Sequence, residues 1–206
     1  MGALWGALIE ALMKTLIALL SFFLLPFTQT QAAQSVYQSP ADFVTQALGS
    51  QGKSKGKGQA KAKVFWFNAE QRQVIEEILA HDFRPLRTRY WQQGDDTVWI
   101  LEEIGKEAPI TVGIQVRHGQ IYRTKVLIYR ESRGDEVRHD FFTDQFKSAT
   151  LTKDKQLDKH IDGITGATLS VRALTKLARI ALYLDQQLSL QHGLQQHSLQ
   201  QNSEPR

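Results

Sequence analysis

A ten-residue stretch near the end of the chain, IDGITGATLS at residues 161–170, concentrates small and hydroxyl side chains directly before a helical pattern. Gly163, Gly166 and Ala167 would let the backbone approach a bulky group without obstruction by side chains. Thr168 stands where the helix begins, and there the free N–H groups of Leu169, Ser170 and Val171 and the helix dipole favour a negative charge. The stretch is therefore suited to a phosphate, which the Thr168 hydroxyl could carry as an ester.

A simpler role is open to the same threonines. Thr168 or Thr165 could serve only as the N-cap of the helix, because threonine is common at that position. The turn would then begin a helix and carry no cofactor. Residue types and spacing alone leave both interpretations open.

The run D-x-x-T-G-A-T at residues 162–168 resembles the flavinylation motif of FMN-binding domains. That family includes flavin-bearing components of the sodium-translocating NADH:quinone reductase and of the Rnf complex. The resemblance implies that a dedicated flavin transferase links FMN through a phosphoester to Thr168. It further implies a recognition and packing frame of Asp162, Thr165, Gly166 and Ala167, although Asp162 could alternatively be a turn or cap residue. The helix start adds Leu169 and Ser170 as cofactor-binding residues through their N–H groups.

The resemblance extends over roughly residues 64–188 and has two departures. Val171 stands where the family often has Ser or Thr, and Ser148 stands near a usual Gly. Glu131 and Ser132 follow a strand and are candidates for contact with the flavin ring or ribityl chain; for Glu131 the alternative is a solvated ion pair with Arg133. Candidates for ring stacking, or alternatively for the core, are Trp66, Tyr90, Trp91, Trp99 and Tyr129.

The composition narrows the kinds of cofactor that the chain can hold. It contains no cysteine, which excludes disulfides, Cys-ligated zinc, iron–sulfur clusters and c-type haem attachment. Its six histidines show no metal-ligand spacing, so we expect no metal site. A cofactor must therefore be held by backbone, hydroxyl and charged groups. The net charge of +4 is compatible with acidic partners.

The N-terminal segment has the pattern of an export signal. Residues 1–27 are apolar apart from Glu10 and Lys14, and Thr30-Gln31-Ala32 offers small residues for a cleavage site. Translation starting at Met13 would give a typical signal sequence. The sequence therefore predicts that residues 1–32 are a signal peptide or, alternatively, an uncleaved membrane anchor, and that the rest is exported.

Residues 33–63 are predicted to form a short helix followed by a linker. Ser39-Pro40 has the pattern of an N-cap and first-turn proline, whereas residues 49–63 are rich in Gly and Lys. The linker is interpreted as a solvated spacer or, alternatively, as a docking patch for an acidic partner. Residues 47–54 match a relaxed phosphate-binding P-loop, but a helix rather than a strand precedes them, so we interpret the match as coincidental.

The predicted fold class is α+β, an antiparallel sheet with packed helices, within an FMN-binding domain at residues 64–188. KVFWF and four longer segments have the pattern of strands, and Arg117-His118-Gly119 indicates a hairpin. Alternation predicts that Val112, Ile114 and Val116 share one face, and likewise Tyr122, Thr124, Val126 and Ile128. Asn68 with Gln71 predicts a capped helix, and a long helix follows Thr168. Residues 189–206, which are Gln-rich, are predicted to be disordered.

Together these features predict an exported flavoprotein that carries FMN covalently on Thr168 and transfers electrons at the periplasmic face of the membrane. We expect an electron-transfer component rather than a stand-alone enzyme, because no nicotinamide-binding motif is present. Expected partners are the flavin transferase and a membrane-bound reductase or cytochrome as electron donor or acceptor; no nucleic acid is expected. The alternatives are a non-redox periplasmic binding or assembly module and a nucleotide-binding enzyme.

Overall fold

The sheet at the centre of the fold has six antiparallel strands in the order β1-β6-β5-β4-β3-β2. The computed structural model describes residues 34–49 and 61–201, with side chains as far as residue 193. The strands are β1 Ser35–Val36, β2 Lys63–Trp66, β3 Arg87–Gln93, β4 Asp96–Ile104, β5 Pro109–Arg117 and β6 Gln120–Tyr129. The helices are α1 Pro40–Gly49, α2 Ala69–Leu79, α3 Asp140–Thr143 and α4 Thr168–Gln201, with 3-10 turns at Asp135–Arg138 and Asp144–Phe146. The predicted α+β class is confirmed.

Local sequence signals account for several element boundaries. Asn68 and Gln71 form the predicted capping box at the start of α2. Ser39 accepts a hydrogen bond from the Asp42 N–H at 3.1 Å and so caps α1. The β5–β6 hairpin turns at His118 and Gly119, whose φ angles of 50° and 72° are both left-handed, as a two-residue primed turn requires.

Two β-bulges between β5 and β6 change which side chains share a face. The register shifts between Thr111 and Val112 and again between Gln115 and Val116. As a result Val126 packs in the main core, whereas Ile128 packs against the opposite face of the sheet. Ile121 likewise lies in the main core, whereas Tyr122 is 41% exposed. The prediction that the alternating residues of β6 share one face is therefore wrong for Tyr122 and Ile128, because strict alternation ends where a strand gains an extra residue.

Helices cover both faces of the sheet. α2 and α4 pack with one face to form the main core, which includes Trp99, Ile114 and Leu174. On the other face α1 places Phe43 directly over Gly113, where an added Cβ would lie 2.6 Å from the Phe43 ring. β1 also pairs with β6. Residues 34–49 thus belong to the folded unit, which extends further than the predicted boundary at residue 64, because they supply apolar cover for the second face.

The C-terminal helix is longer than the sequence suggested. α4 continues to Gln201, so residues 189–201 are helical where disorder was predicted. Leu and Gln are good helix formers and extend a helix that is already anchored in the core through Leu188. The predicted signal or anchor at residues 1–32, most of the lysine-rich linker and the last five residues lie outside the described residues. Within the described part, no helix has the length and apolar character to cross a membrane.

Candidate functional site

The helix α4 begins at the glycine-rich turn with an N-terminus that no side chain caps. Gly166 has a φ of 85°, and the Val171 N–H donates to the Ala167 carbonyl at 2.9 Å as the first bond of the helix. Ala167 therefore occupies the N-cap, a position where alanine is among the poorest residues. Among the described residues, no side chain accepts a hydrogen bond from the N–H groups of Thr168, Leu169 or Ser170.

The threonine cap that the sequence offered as an alternative is not formed. Thr168 is the first helical residue, and its side chain is exposed. Within the described part of the chain its hydroxyl has no hydrogen-bond partner, and Thr165 caps nothing either. The helix thus presents a free hydroxyl next to three free N–H groups at the positive end of its dipole, an arrangement that favours an anion.

Tyr129 at the end of β6 holds this helix end against the following loop. Its side chain is only 1% exposed, and its hydroxyl donates to the Arg133 carbonyl at 2.6 Å. The Ser170 hydroxyl lies 2.9 Å from the same oxygen and, because the single phenolic proton is already used, donates to it. Burial raises the pKa of the Tyr129 phenol, which keeps it protonated.

Gly134 lets the loop approach the helix closely. Its φ is 86°, and an added Cβ would lie 2.9 Å from the Tyr129 hydroxyl oxygen and 3.2 Å from Ser170 Oγ. A side chain there would have to push the loop away from α4. This position needs glycine for two reasons, its backbone conformation and its lack of space.

Glu131 organises the turn between β4 and β5. Its Oε1 accepts hydrogen bonds from the N–H groups of Lys106, Glu107 and Ala108 at 2.5 to 3.0 Å. Burial by itself would raise the pKa of Glu131, but the three backbone donors outweigh it and hold the pKa below its ordinary value. The carboxylate is therefore ionised and bound by the turn, and the ion pair with Arg133 that the sequence offered as its alternative role is not formed among the described residues.

These elements surround a cavity of about 530 Å³ at the start of α4. Seven of the residues predicted from the sequence line it: Glu131, Ser132, Gly166, Ala167, Thr168, Leu169 and Ser170. Asp162 and Thr165 are exposed and do not line it. The Asp162 N–H instead donates to the Gln145 side chain at 2.7 Å, which fixes the approach to the turn.

Sequence reasoning missed two residues of the cavity, Lys106 and Arg133. Both are exposed cations in turns, and no local pattern distinguishes them from ordinary surface charges. The Ser170 side chain is buried against Tyr129, so its N–H is the group that this residue offers at the helix end. These contacts depend on chain segments that are distant in the sequence.

Val171 and Ser148, the two residues that depart from the family pattern, have different structural roles. Val171 is buried in the main core, and its backbone N–H donates to the Ala167 carbonyl as the first bond of the helix, so the prediction that this N–H is free is wrong. Ser148 has a φ of 62°, the left-handed conformation that glycine adopts without cost, and its N–H donates to the Ile121 carbonyl at 2.7 Å. The turn therefore keeps the geometry that a glycine would have.

Of the aromatic residues considered for ring stacking, three lie in the core. Tyr90 stacks on Trp99 with ring centres 5.1 Å apart, and both are buried, as is Tyr129. Trp91 is half-buried against α1. Trp66 is exposed, but it lies on β2, which contributes nothing to the cavity. None of the five lines the cavity at Thr168.

Residues 105–183 match the family model of the FMN-binding domain. The chain contains a domain of this family. The match begins in the turn between β4 and β5 and includes every residue that lines the cavity at Thr168. No curated protein and no solved structure matches the chain.

The FMN-binding domain offers groups that suit the cofactor's phosphate. The uncapped N–H groups of Thr168, Leu169 and Ser170 are donors that lack an acceptor among the described residues. Arg133 adds positive charge to the lining of the cavity, and Lys106 lines it as well, with its ammonium group paired to the exposed Glu107 carboxylate at 2.9 Å. The residues present therefore fit a flavin phosphate at the start of α4, and the family match at residues 105–183 supports FMN binding.

Proposed function

We propose that the protein carries FMN covalently, through a phosphoester to the Thr168 hydroxyl, and that it transfers electrons in the periplasm. The observation that carries this proposal is the uncapped start of α4. An exposed threonine hydroxyl there adjoins three N–H groups without acceptors among the described residues, inside the region matched by the FMN-binding domain family. A phosphodiester on Thr168 would keep one negative charge, which those donors and the helix dipole would stabilise.

Attachment requires an activated donor and a transferase. The bond from Thr168 Oγ to the FMN phosphorus forms, and the bond from that phosphorus to its leaving group breaks. A flavin dinucleotide supplies a good leaving group, the nucleoside monophosphate, and the hydroxyl proton passes to a base of the transferase. No redox change occurs in this step.

The protein's own residues then hold and orient the cofactor. Bound FMN supplies the capacity to accept and release electrons. Tyr129, Ser170 and Gly134 fix the helix end that bears the attachment site, while Glu131 fixes the turn that carries Lys106. Covalent attachment suits an exported carrier, because a dissociated cofactor would be lost by dilution outside the cytoplasm.

The proposed partners are the flavin transferase and a membrane-bound reductase or cytochrome. The N-terminal sequence supports export, with residues 1–32 as a signal peptide or membrane anchor. Electron exchange with such a partner is expected to depend on ionic strength if the lysine-rich linker takes part in docking.

Intact mass of the exported protein, co-expressed with a flavin transferase, tests the attachment. We expect a mass increase equal to FMN minus one water in wild type and none in Thr168→Ala. Thr168→Ser is the matched control, because it keeps a hydroxyl at the same atom and should accept FMN. The same spectrum shows whether the leader is removed.

The opposite result would favour the alternative, a non-redox binding or assembly module. An unmodified wild-type protein, in the presence of an active transferase, would contradict covalent attachment. Bound but dialysable FMN would retain the FMN-binding domain and reject the phosphoester. Reduction of the purified flavoprotein, followed by reoxidation with a periplasmic acceptor, tests the carrier role separately.

A further inference from the structure

The outer edge of the sheet, formed by β2 and β3, is strongly basic. β2 is the last strand of the sheet order. The two stretches at residues 61–69 and 83–93, which contain β2 and β3, hold five cationic residues and no Asp or Glu: Lys61, Lys63, Arg84, Arg87 and Arg89. This edge therefore attracts anionic surfaces.

Apolar side chains lie among these charges. Val64 pairs with Arg89 and Trp66 pairs with Arg87 in the antiparallel register, and directly opposite residues project from the same side of a sheet. Val64 is 44% exposed and Trp66 is 60% exposed. The Arg87 guanidinium lies 5.2 Å from the centre of the Trp66 ring. These four residues form a mixed apolar and cationic surface, here named the Trp66 patch.

The two arginines of the patch are not neutralised within the described structure. Neither Arg87 nor Arg89 forms an ion pair with a described carboxylate. Glu102 on neighbouring β4 already pairs with Arg130 at 3.6 Å and accepts a hydrogen bond from Thr111. The positive charge of the patch is thus available to an external partner.

We propose that the Trp66 patch binds the surface of an anionic phospholipid bilayer. Tryptophan prefers the headgroup level of membranes, and basic residues near an anionic leaflet are each attracted to it. A stable protein interface normally buries an extended apolar centre, and the exposed Val64 and Trp66, even with Leu86 beside Arg87, are too few to form one. Shallow contact with a bilayer needs no such centre.

This docking is independent of the flavin. β2 and β3 contribute no residue to the cavity at Thr168. Membrane contact should therefore be the same for wild type and for Thr168→Ala, so failure of one proposal does not imply failure of the other.

The absence of native cysteine permits a site-specific test on the full chain. Val64→Cys, labelled with a fluorophore, reports on the patch while leaving Trp66 and both arginines in place. Phe141→Cys is the matched control, because Phe141 is 66% exposed but lies on α3. Both proteins are added to vesicles that contain a nitroxide-labelled lipid, made of phosphatidylcholine alone or of phosphatidylcholine mixed with phosphatidylglycerol.

We expect the lipid nitroxide to quench the label at residue 64 in vesicles with phosphatidylglycerol, and only weakly in phosphatidylcholine alone. The label at residue 141 should stay unquenched, which separates docking of the patch from attachment through the apolar N-terminus. Equal quenching at both positions would overturn the proposal. Absence of quenching at both positions would also overturn the proposal, and an acidic protein would then be the favoured partner of the basic edge.

Removing the arginines tests the electrostatic part. The double substitution Arg87→Gln and Arg89→Gln is made in the Val64→Cys protein. It should lower the ratio of molecules whose patch contacts the membrane to molecules whose patch is free by roughly 30-fold, since each basic residue near the surface contributes about 1 kcal/mol. The pair Lys153→Gln and Arg172→Gln removes the same charge from other exposed positions and should change the ratio little. Equal losses in the two pairs would contradict a localised patch.

Discussion

The hydroxyl oxygens of Tyr129 and Ser170 lie 2.9 Å apart, although 41 residues separate them in the chain. Tyr129 ends β6, the last of the described strands along the chain, and Ser170 lies in the first turn of the helix that bears Thr168. The Tyr129 hydroxyl also donates to the carbonyl of Arg133 at 2.6 Å. One buried phenol thus fixes the strand end, the following loop and the helix start relative to one another.

Tyr129→Phe should therefore loosen the site. The change leaves the Ser170 hydroxyl and the Arg133 carbonyl without their buried partner, which costs about 1 to 3 kcal/mol of unfolding free energy. We also expect slower attachment of FMN to Thr168. Chemical denaturation measures the first effect, and the rate of mass increase with transferase measures the second.

Tyr90→Phe provides the control for that experiment. Tyr90 is also buried and stacks on Trp99, but its hydroxyl bonds to no described residue. It should lose little stability and accept FMN at the wild-type rate. If both variants slow attachment equally, Tyr129 acts only through general stability.

Gly134→Ala should be among the more damaging single-methyl additions in the domain. The left-handed backbone costs about 1 kcal/mol for alanine, and the contact with the Tyr129 hydroxyl adds to it, giving a loss of roughly 2 to 4 kcal/mol. Thermal and denaturant unfolding measure the loss.

Gly119→Ala separates the two contributions to that loss. Gly119 has a φ of 72°, but an added Cβ there meets open space. Gly119→Ala should therefore lower the unfolding free energy only by the cost of the left-handed backbone, about 1 kcal/mol. If Gly134→Ala loses no more stability than Gly119→Ala, the loop can move away from the added methyl group without an energetic cost.

The hydrogen-bonded carboxylate of Glu131 should make the stability of the protein depend on pH. Its pKa is lower in the folded state than in the unfolded state, so the unfolded chain binds more protons and the stabilisation is present above the unfolded pKa. It is lost as the pH falls from the ordinary carboxyl range through the folded pKa. At neutral pH, Glu131→Ala should cost about 2 kcal/mol because three backbone donors lose their acceptor.

Glu131→Gln refines this test. The amide oxygen can still accept the three hydrogen bonds but carries no charge, so we expect a smaller loss than with alanine. The difference between wild type and Glu131→Gln should shrink as the pH falls below the carboxyl range. If the stability difference between wild type and Glu131→Gln is constant with pH, the charge of the carboxylate does not contribute to stability. Denaturation curves at several pH values provide the measurement.

Ser148→Gly should stabilise the protein. Ser148 has a left-handed φ of 62° and an exposed side chain, so glycine removes backbone strain without loss of packing. Part of the gain is offset by the greater freedom of glycine in the unfolded chain, which leaves about 0.5 to 1 kcal/mol. Ser148→Ala keeps the Cβ and should bring no gain; stabilisation by alanine would show that the hydroxyl, not the backbone, is unfavourable.

The sequence by itself determined the local features of this protein. The capping box at Asn68, the cap at Ser39 and the hairpin at His118-Gly119 depend on contacts within a few residues, and all form as predicted. The sequence also located the glycine-rich turn before the long helix and the resemblance that the family match confirms at residues 105–183.

Only the tertiary structure decided how the site is assembled. Lys106, the loop at residues 131–133 and the turn before α4 meet because the sheet brings distant segments to one edge, and no local pattern encodes that proximity. The bulges in β6 invert the face of Ile128, and a single inserted residue cannot be read from alternation. Tyr129, which in sequence is one more aromatic in a strand, gains its role from the hydroxyl partners that the fold places beside it.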